Sequence, residues 1–548
     1  MKTPVPSTPR AVVAGACALL AVLGACRSPE AHVADADRQV YAILDQRRET
    51  LGLDLGPIHL EPEADNLRAR LLGQDPEAES VTIGLVEALS VAAENSREYQ
   101  RRKETLYLTA LDLTLARFRF QVQTTGTLGA LLAGSGDEAE TFAAGTDLGF
   151  SRLLGSGALI VGNIGLDLFR SLTTGDSLDP ISGFSLAITQ PLLRGYGKRI
   201  VMEPLTQAER NVIYEVRSFE RFRRSFAVDV YTRYLRIVQQ TDIVRNQRSN
   251  YENLNLLAER NTALAEAGRM SDIQMDQARQ EEVSSISRLI QEEQRLQDLL
   301  DDFKFFLGLP PQARVQVVPD SLERLAEVEP EVLDFDDPEW LSEYALQWRL
   351  DHQTVLDAVD DAQRKSMIAA DALRNALEVS GGVAGSSEDG NPLEVSKDGL
   401  DWFLGVEVDL ALTRLPQRNA YRESLIALAF ARRNAQESED AIRVQVRDGL
   451  RQAERTVETW RLQRGAVALA ERRVESTRLS LEAGRAATRD ILEAQEALLS
   501  AQNSATNALI DQRLAVLNLW LDLEILRLDE SGLVPEPDLL AVLDPPTP

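Results

Sequence analysis

At 548 residues the chain is long enough for about two to four domains, and its 59 lysines and arginines against 86 aspartates and glutamates leave a formal charge of −27. Such an excess of carboxylates argues against nucleic acid as a partner, because a surface that neutralises phosphates needs a basic face. Three histidines far apart in sequence (His32, His59, His352) and two cysteines (Cys17, Cys26) exclude a disulfide scaffold and most zinc, haem or iron–sulfur chemistry. No metal or other cofactor is expected.

The chain opens with Lys2 and Arg10 ahead of an uncharged run from Ala11 to Cys26, 16 residues long. That is shorter than the ~20 residues of a spanning helix and fits a signal peptide. The run closes on Leu23-Gly24-Ala25-Cys26, which resembles a bacterial lipobox, with Cys26 as the lipidated first residue of the mature protein. An ordinary secretory signal cut near this point is the other reading. Loss of residues 1–25 removes Lys2 and Arg10 and leaves 523 residues at a charge of −29. Residues 26–80 then form an N-terminal periplasmic segment.

No later stretch reaches 18 apolar residues, so any further membrane crossing must use strands. Phe118, Phe120 and Val122 alternate with polar residues, as do Phe184, Leu186 and Ile188, placing strands at about 117–130 and 183–191. A Gly-rich insert between them, about 132–182, carries a Gly155-Ser156-Gly157 turn and adds either a hairpin or a longer outer loop. A second pair of strands is predicted at about 376–385 and 402–412. In the last, Trp402, Leu404, Val406 and Val408 oppose Phe403, Gly405, Glu407 and Asp409. That ribbon is a barrel strand with Glu407 and Asp409 in the lumen, or a soluble sheet with one wet face. Between the pairs run proline-poor helical stretches. Val212, Val216, Phe219, Phe222, Phe226 and Val230 recur at steps of three and four, and Val446, Ala453, Trp460, Val467 and Val474 every seven, as in coiled-coil seams. Residues 205–264 alone would make a helix of ~90 Å.

An internal repeat organises these elements. Glu266-Ala267-Gly268-Arg269 returns as Glu482-Ala483-Gly484-Arg485 at an offset of 216, and Asp272-Ile273 with Gln277 returns as Asp490-Ile491 with Gln495 at an offset of 218. Upstream, Ala88-Leu89 with Arg97 and Tyr99 is matched to Ala345-Leu346 with Arg349 and Asp351. The halves span 81–309 and 339–528, joined by an acidic linker at 310–338 and followed by a Pro-rich tail at 529–548. Gly268 and Gly484 are predicted at sharp helix-to-helix turns that need positive φ.

Val86-Glu87-Ala88-Leu89 through Asn95, Gln190-Pro191-Leu192-Leu193-Arg194-Gly195, Leu307-Gly308-Leu309-Pro310 and the two Glu-Ala-Gly-Arg turns, in this order and duplicated, resemble the TolC-type outer-membrane efflux protein family over nearly the whole mature chain. The resemblance implies a mixed α and β membrane protein. It would be a homotrimer whose chains each give four strands to one 12-stranded β-barrel, continued by a long α-helical coiled-coil tunnel in the periplasm. It further implies docking of a periplasmic adaptor (membrane fusion protein) and an inner-membrane pump, with Gly268, Arg269, Gly484 and Arg485 at the periplasmic tips. Asp490 and Glu493, with Asp272, are implied as an acidic ring at the tunnel entrance. Acids in a helix's first turn are also favoured by the dipole alone, a reading that stands beside the ring for Asp490 and is preferred for Asp272. The residues that lock the tunnel tip in some members fall here at Leu481 and Ala486, a departure from the family pattern.

The expected function is a passive outer-membrane duct for efflux or type I secretion, anchored by lipid and reaching into the periplasm, with no catalytic residues. A lipid-anchored periplasmic coiled-coil scaffold that conducts nothing is the alternative; it leaves the duplicated strand pairs without a role. An envelope hydrolase would need a nucleophile elbow, metal-spaced histidines or a phosphate loop, and none occurs.

Overall fold

The computed structural model describes residues 27–51, 59–60, 67–73, 81–135, 138–171, 179–318, 322, 337–387, 395–410, 412–529 and 532–535. Cys26 and the signal segment lie outside the described residues, as do most of the acidic linker and the end of the tail. In chain order the elements are α1 (Pro29–Leu51), α2 (Leu67–Gly73), β1 (Val81–Ile83), α3 (Leu85–Asn95), α4 (Arg97–Phe118), β2 (Gln123–Ser135), β3 (Glu138–Leu153), β4 (Leu159–Ser171), β5 (Asp179–Pro191), α5 (Lys198–Val201), α6 (Glu203–Glu266), α7 (Asp272–Phe306) and β6 (Val315–Val317). The second half holds α8 (Pro338–Trp348), α9 (Leu350–Asp371), β7 (Ala376–Ser387), β8 (Val395–Asp409), α10 (Leu415–Glu482), α11 (Thr488–Asp522), β9 (Leu526–Asp529) and β10 (Gly532–Pro535). Two units divide the chain, one of residues 1–58, 105–216 and 363–425, the other of residues 59–104, 217–362 and 426–548.

The first unit holds a single antiparallel sheet of six strands in the order β2-β3-β4-β5-β7-β8. This corrects the expectation of four strands per chain. The Gly-rich insert is a hairpin, β3–β4, lying between the strands expected to be neighbours. The first strand also starts later than predicted, at Gln123, because α4 continues to Phe118 and a turn follows it. Apolar residues at 118, 120 and 122 end a helix and fill a turn, where alternation carries no strand information. The last strand spans 395–409, and Leu412, 94% exposed, lies beyond it. No helix among the described residues is long and apolar enough to cross a membrane.

The second unit is helical and owes its core to the predicted seams. Phe219, Phe226 and Val230 on α6 are buried, as are Val446, Ala453 and Trp460 on α10. Ile442, Val446, Leu450 and Ala453 pack with Leu341 and Ala345 of α8 and Leu519, Leu523 and Ile525 at the end of α11. On the α6 side Tyr99, Phe219, Phe222 and Phe226 form a run of ring contacts, with Phe306 stacked on Phe226 at 5.1 Å. Each such pair adds ~0.5 to 1.5 kcal/mol beyond its buried area. β1 and β6 pair in parallel beside them, with Val81 opposite Val315.

Element lengths repeat between the halves. α3 and α8 both have 11 residues, α4 and α9 both 22, and α7 and α11 both 35. The starts of α7 and α11 are 216 residues apart, so Asp272 is the counterpart of Thr488. The sequence match at 218 is therefore out of register by two residues, and Asp272 opens its helix whereas Asp490 sits at its third position. Likewise α3 and α8 start at 85 and 338, which makes Ala92 rather than Ala88 the counterpart of Ala345. At the C-terminal end β9 and β10 pair, Asp529 opposite Gly532, so the boundary expected at 528 cuts a small hairpin.

Gly308 closes α7 at φ +77°, and a Cβ there would lie 2.0 Å from the Asn95 carbonyl oxygen. Gly308→Ala should therefore combine the left-handed penalty of ~1 to 2 kcal/mol with an overpacking term of ~1 to 3 kcal/mol. Gly484, at φ +68° with no atom within 4 Å of an added Cβ, should show the first term alone. Melting temperatures of the two alanine variants check the difference, with Gly308→Ala expected to be clearly the lower.

Candidate channel wall and helix reversals

Residues directly opposite in an antiparallel sheet share a face, so the register sorts every strand position onto one of two surfaces. One surface carries Leu128, Leu148, Ile164, Leu186, Val383 and Trp402; the other carries Thr127, Asp147, Asn163, Ser185, Ser380 and Glu407. The apolar surface is left exposed by the chain itself: Leu128 is 65% exposed, Ile164 64%, Trp402 76% and Leu404 73%. An exposed apolar face of this extent is foreign to a water-soluble surface and suits lipid.

The polar surface holds the predicted lumen residues. Glu407 stands directly opposite Glu378 on β7. Asp409, at the strand's end, pairs with Arg194 at 3.2 Å. Arg194 belongs to the Gln190–Gly195 passage from sheet to helix, which is fixed by further contacts. The Leu192 amide donates to the Leu377 carbonyl at 2.7 Å, and the Gly195 amide, at φ +75°, donates to the Asp371 carboxylate at 2.8 Å. The turn joining β3 to β4 is tied to the same passage. Gln190 and Ser156 exchange two hydrogen bonds, and the Gly197 amide donates to the Ser156 carbonyl at 3.2 Å. Asp371 and Ser156 were not singled out in the sequence; Ser156 lay in a recognised Gly-Ser-Gly turn, whereas nothing local marks Asp371.

Both Glu-Ala-Gly-Arg segments form the same reversal. Gly268 and Gly484 take φ of +70° and +68°. The Arg269 amide donates to Leu264 and the Gly268 amide to Ala265; the Arg485 amide donates to Ser480 and the Gly484 amide to Leu481. This is the Schellman arrangement, which satisfies the last carbonyls of a helix and needs a left-handed residue. Arg269 and Arg485 are exposed. Near the second reversal, buried Asn261 donates to Thr488 at 3.2 Å, joining the end of α6 to the start of α11.

The predicted entrance acids stand at helix starts. Asp490 accepts from the Ala487 amide at 2.8 Å, satisfying one of the amides that a helix leaves unpaired at its start. Glu493 pairs with Arg489 at 2.8 Å, both exposed. Asp272 is the first residue of α7 and is exposed. Glu493 lies one turn deeper than the amides that need capping. Among the described residues no group of three or more His, Cys, Asp or Glu is placed to hold a metal ion.

Solved structures share this architecture. The outer-membrane channel OprN superposes with a TM-score of 0.60 at 13% identity, over 86% of this chain and 98% of its own. CmeC, the Campylobacter jejuni outer membrane channel, gives 0.58 at 15% identity over 84% and 93%. VceC, an outer membrane protein of Vibrio cholerae, gives 0.55 at 13% over 79% and 94%. The chain has the fold of these outer-membrane channels. The sequence itself matches no family profile and no curated protein. The shared fold supports the TolC-type resemblance drawn from the motifs, and it pairs an antiparallel sheet with long helices in one chain.

The two sheet faces give opposite expectations for neighbouring positions. Arginine at Val406 should destabilise the membrane-inserted protein by ~2 to 4 kcal/mol near the bilayer midplane, whereas arginine at Glu407 should be tolerated. Urea unfolding in lipid vesicles reads the difference, and equal tolerance at both positions would assign the sheet to water.

Proposed function

We propose that the protein is a passive outer-membrane duct of a tripartite efflux or type I secretion system. Three copies close one barrel, and a periplasmic adaptor and an inner-membrane pump dock at the far ends of the helices. The observation that carries this reading is the six-stranded sheet with one face predominantly apolar and exposed, and the other carrying the acids Asp147, Asp167, Glu378 and Glu407. A periplasmic scaffold has no use for such a face. Cys26 is read as the lipid anchor, and intact mass of the mature protein tests it through the added acyl groups. Gly268 and Gly484, with Arg269 and Arg485, are read as the adaptor-facing tips. Support comes from their identical reversals and exposed guanidiniums, and crosslinking from cysteines at Ala267 and Ala483 tests the assignment.

The purified protein should migrate on gels as a heat-sensitive oligomer and conduct ions in planar bilayers. An unconducting, monomeric species would remove the duct. Asp490 and Glu493 are read as an entrance ring, with Asp272 a weaker member. Repetition around a threefold axis would concentrate cations there, although the capping bond of Asp490 and the Arg489 pair of Glu493 both reduce the free charge. The Asp490→Ala, Glu493→Ala double variant should lose cation preference in a salt gradient. An unchanged reversal potential would confine both acids to capping and pairing at the start of α11.

A further inference from the structure

The β3–β4 hairpin separates β2 from β5, and its side chains decide whether it belongs to the wall or stands outside it. Its alternation is in phase with the strands on either side: Leu148 and Ile164 continue the apolar face, Asp147 and Asn163 the polar one. Both faces are also packed into the sheet. On the apolar side the Phe150 ring covers Gly162, where an added Cβ would fall 2.3 Å from the ring. On the polar side the Thr125 and Asn163 side chains, from β2 and β4, converge over Gly149, each 2.7 Å from the place its Cβ would take. A flap outside the wall would let β2 pair with β5 and would need no such glycines.

We propose that the hairpin is a segment of the barrel wall, so that the membrane pore has eighteen strands. This rests on the trimeric duct reading, three copies of a six-stranded sheet. The occupant of both free edges is a second copy. β2 and β8 run in opposite directions, so β8 of one copy beside β2 of the next continues the antiparallel order and the ring closes with every neighbour antiparallel. With strands ~4.8 Å apart and tilted by ~40°, twelve strands give a backbone radius of ~12 Å and eighteen ~18 Å, leaving lumens of ~7 and ~13 Å radius after side chains. The hairpin brings Asp147, Asn163 and Asp167 to the inner face, so the added width is hydrated and acidic. Such an outer mouth suits bulky hydrated cargo, neutral or cationic, rather than compact anions.

The test uses the full-length protein in lipid nanodiscs and bilayers. Cryo-electron microscopy counts the wall strands, and neutral polyethylene glycols of graded size, added on the extracellular side, measure the outer mouth by their entry into the current-carrying pore. The expected result is eighteen strands and entry of polymers up to ~13 Å in hydrodynamic radius. A trimeric ring of twelve strands with the hairpin outside it, or a cut-off near ~7 Å, would overturn the wide barrel while leaving the duct intact. A protein that forms no ring would overturn both.

Discussion

Inside hydrocarbon a backbone amide or carbonyl without a partner costs several kcal/mol, so a sheet that enters a bilayer cannot keep an open edge. Among the described residues this sheet has six strands and two free edges, β2 and β8, each more than long enough to span at ~9 to 11 residues. Six strands fall short of the ~8 of the smallest barrels. In the proposed duct, assembly would therefore be a condition of insertion, and the apolar face would become usable only once both edges were closed by other copies. The inner turn at Ser156 matters for the same reason: tied to Gln190 and Gly197, it holds the inserted hairpin at the level of the strand-to-helix passage, so β2 through β5 share one register.

The helical halves depend on reversals rather than on edges. Four helix ends leave their last carbonyls through the same left-handed turn, and three of the four use glycine, at 268, 308 and 484. The fourth uses Glu524, at φ +62°. A glutamate there gives up ~1 kcal/mol in backbone energy, and what it gains is visible. Its carboxylate meets Arg221 at 2.5 Å and Arg224 at 3.2 Å, and its carbonyl accepts from Arg224 at 3.1 Å. Burial pushes the Glu524 carboxyl up and the two guanidiniums pull it back. Arg221 also meets Asp351 at 3.4 Å and Arg224 meets Glu220 at 2.8 Å, so Glu524 is one member of a buried ionic network that a glycine at this position would not join. The second half thus ends on a charged clamp where the first ends on a close backbone approach.

The elements most legible in the sequence were those with long periods. The α6 and α10 seams were marked by residues of which most are in fact buried, Phe222, Val467 and Val474 being only half-buried, and the two Gly turns by duplication and by the need for positive φ. The inserted hairpin was ambiguous because its strands are rich in Gly, Ala and Ser, which blunt the alternation that marks a strand; only the register, with Phe150 over Gly162, shows which residue faces which way. The start of β2 was misplaced because three apolar residues at steps of two also fit the end of a helix. At the tip, a match of short words at 218 competed with a structural offset of 216, and words of two residues cannot resolve a shift of two. The acids at 272 and 490 were legible as helix-start residues, whereas the Arg489 partner of Glu493, one turn deeper, depends on side-chain geometry.

The acidic face of the sheet carries its own evidence about its surroundings. Glu378 and Glu407 face each other directly across β7 and β8. Like charges opposite one another in a sheet are unfavourable by ~0.2 to 1 kcal/mol when solvated, a magnitude that water and salt keep small at ~5 Å. Against a packed apolar layer the same pair would lose its hydration, and the repulsion would grow severalfold as the local dielectric fell. A dry partner sheet or helix layer on that face is therefore disfavoured by the same two residues. The opposite face, with Val379 against Val406 and Leu377 against Val408, has no polar side chain to hydrate at these positions. One surface that needs water around Glu378 and Glu407 and another that avoids it around Val406 and Val408 are what the proposed wall between water and lipid requires, and the inserted hairpin keeps the same phase, Asp147 and Asn163 on the first surface and Leu148 and Ile164 on the second.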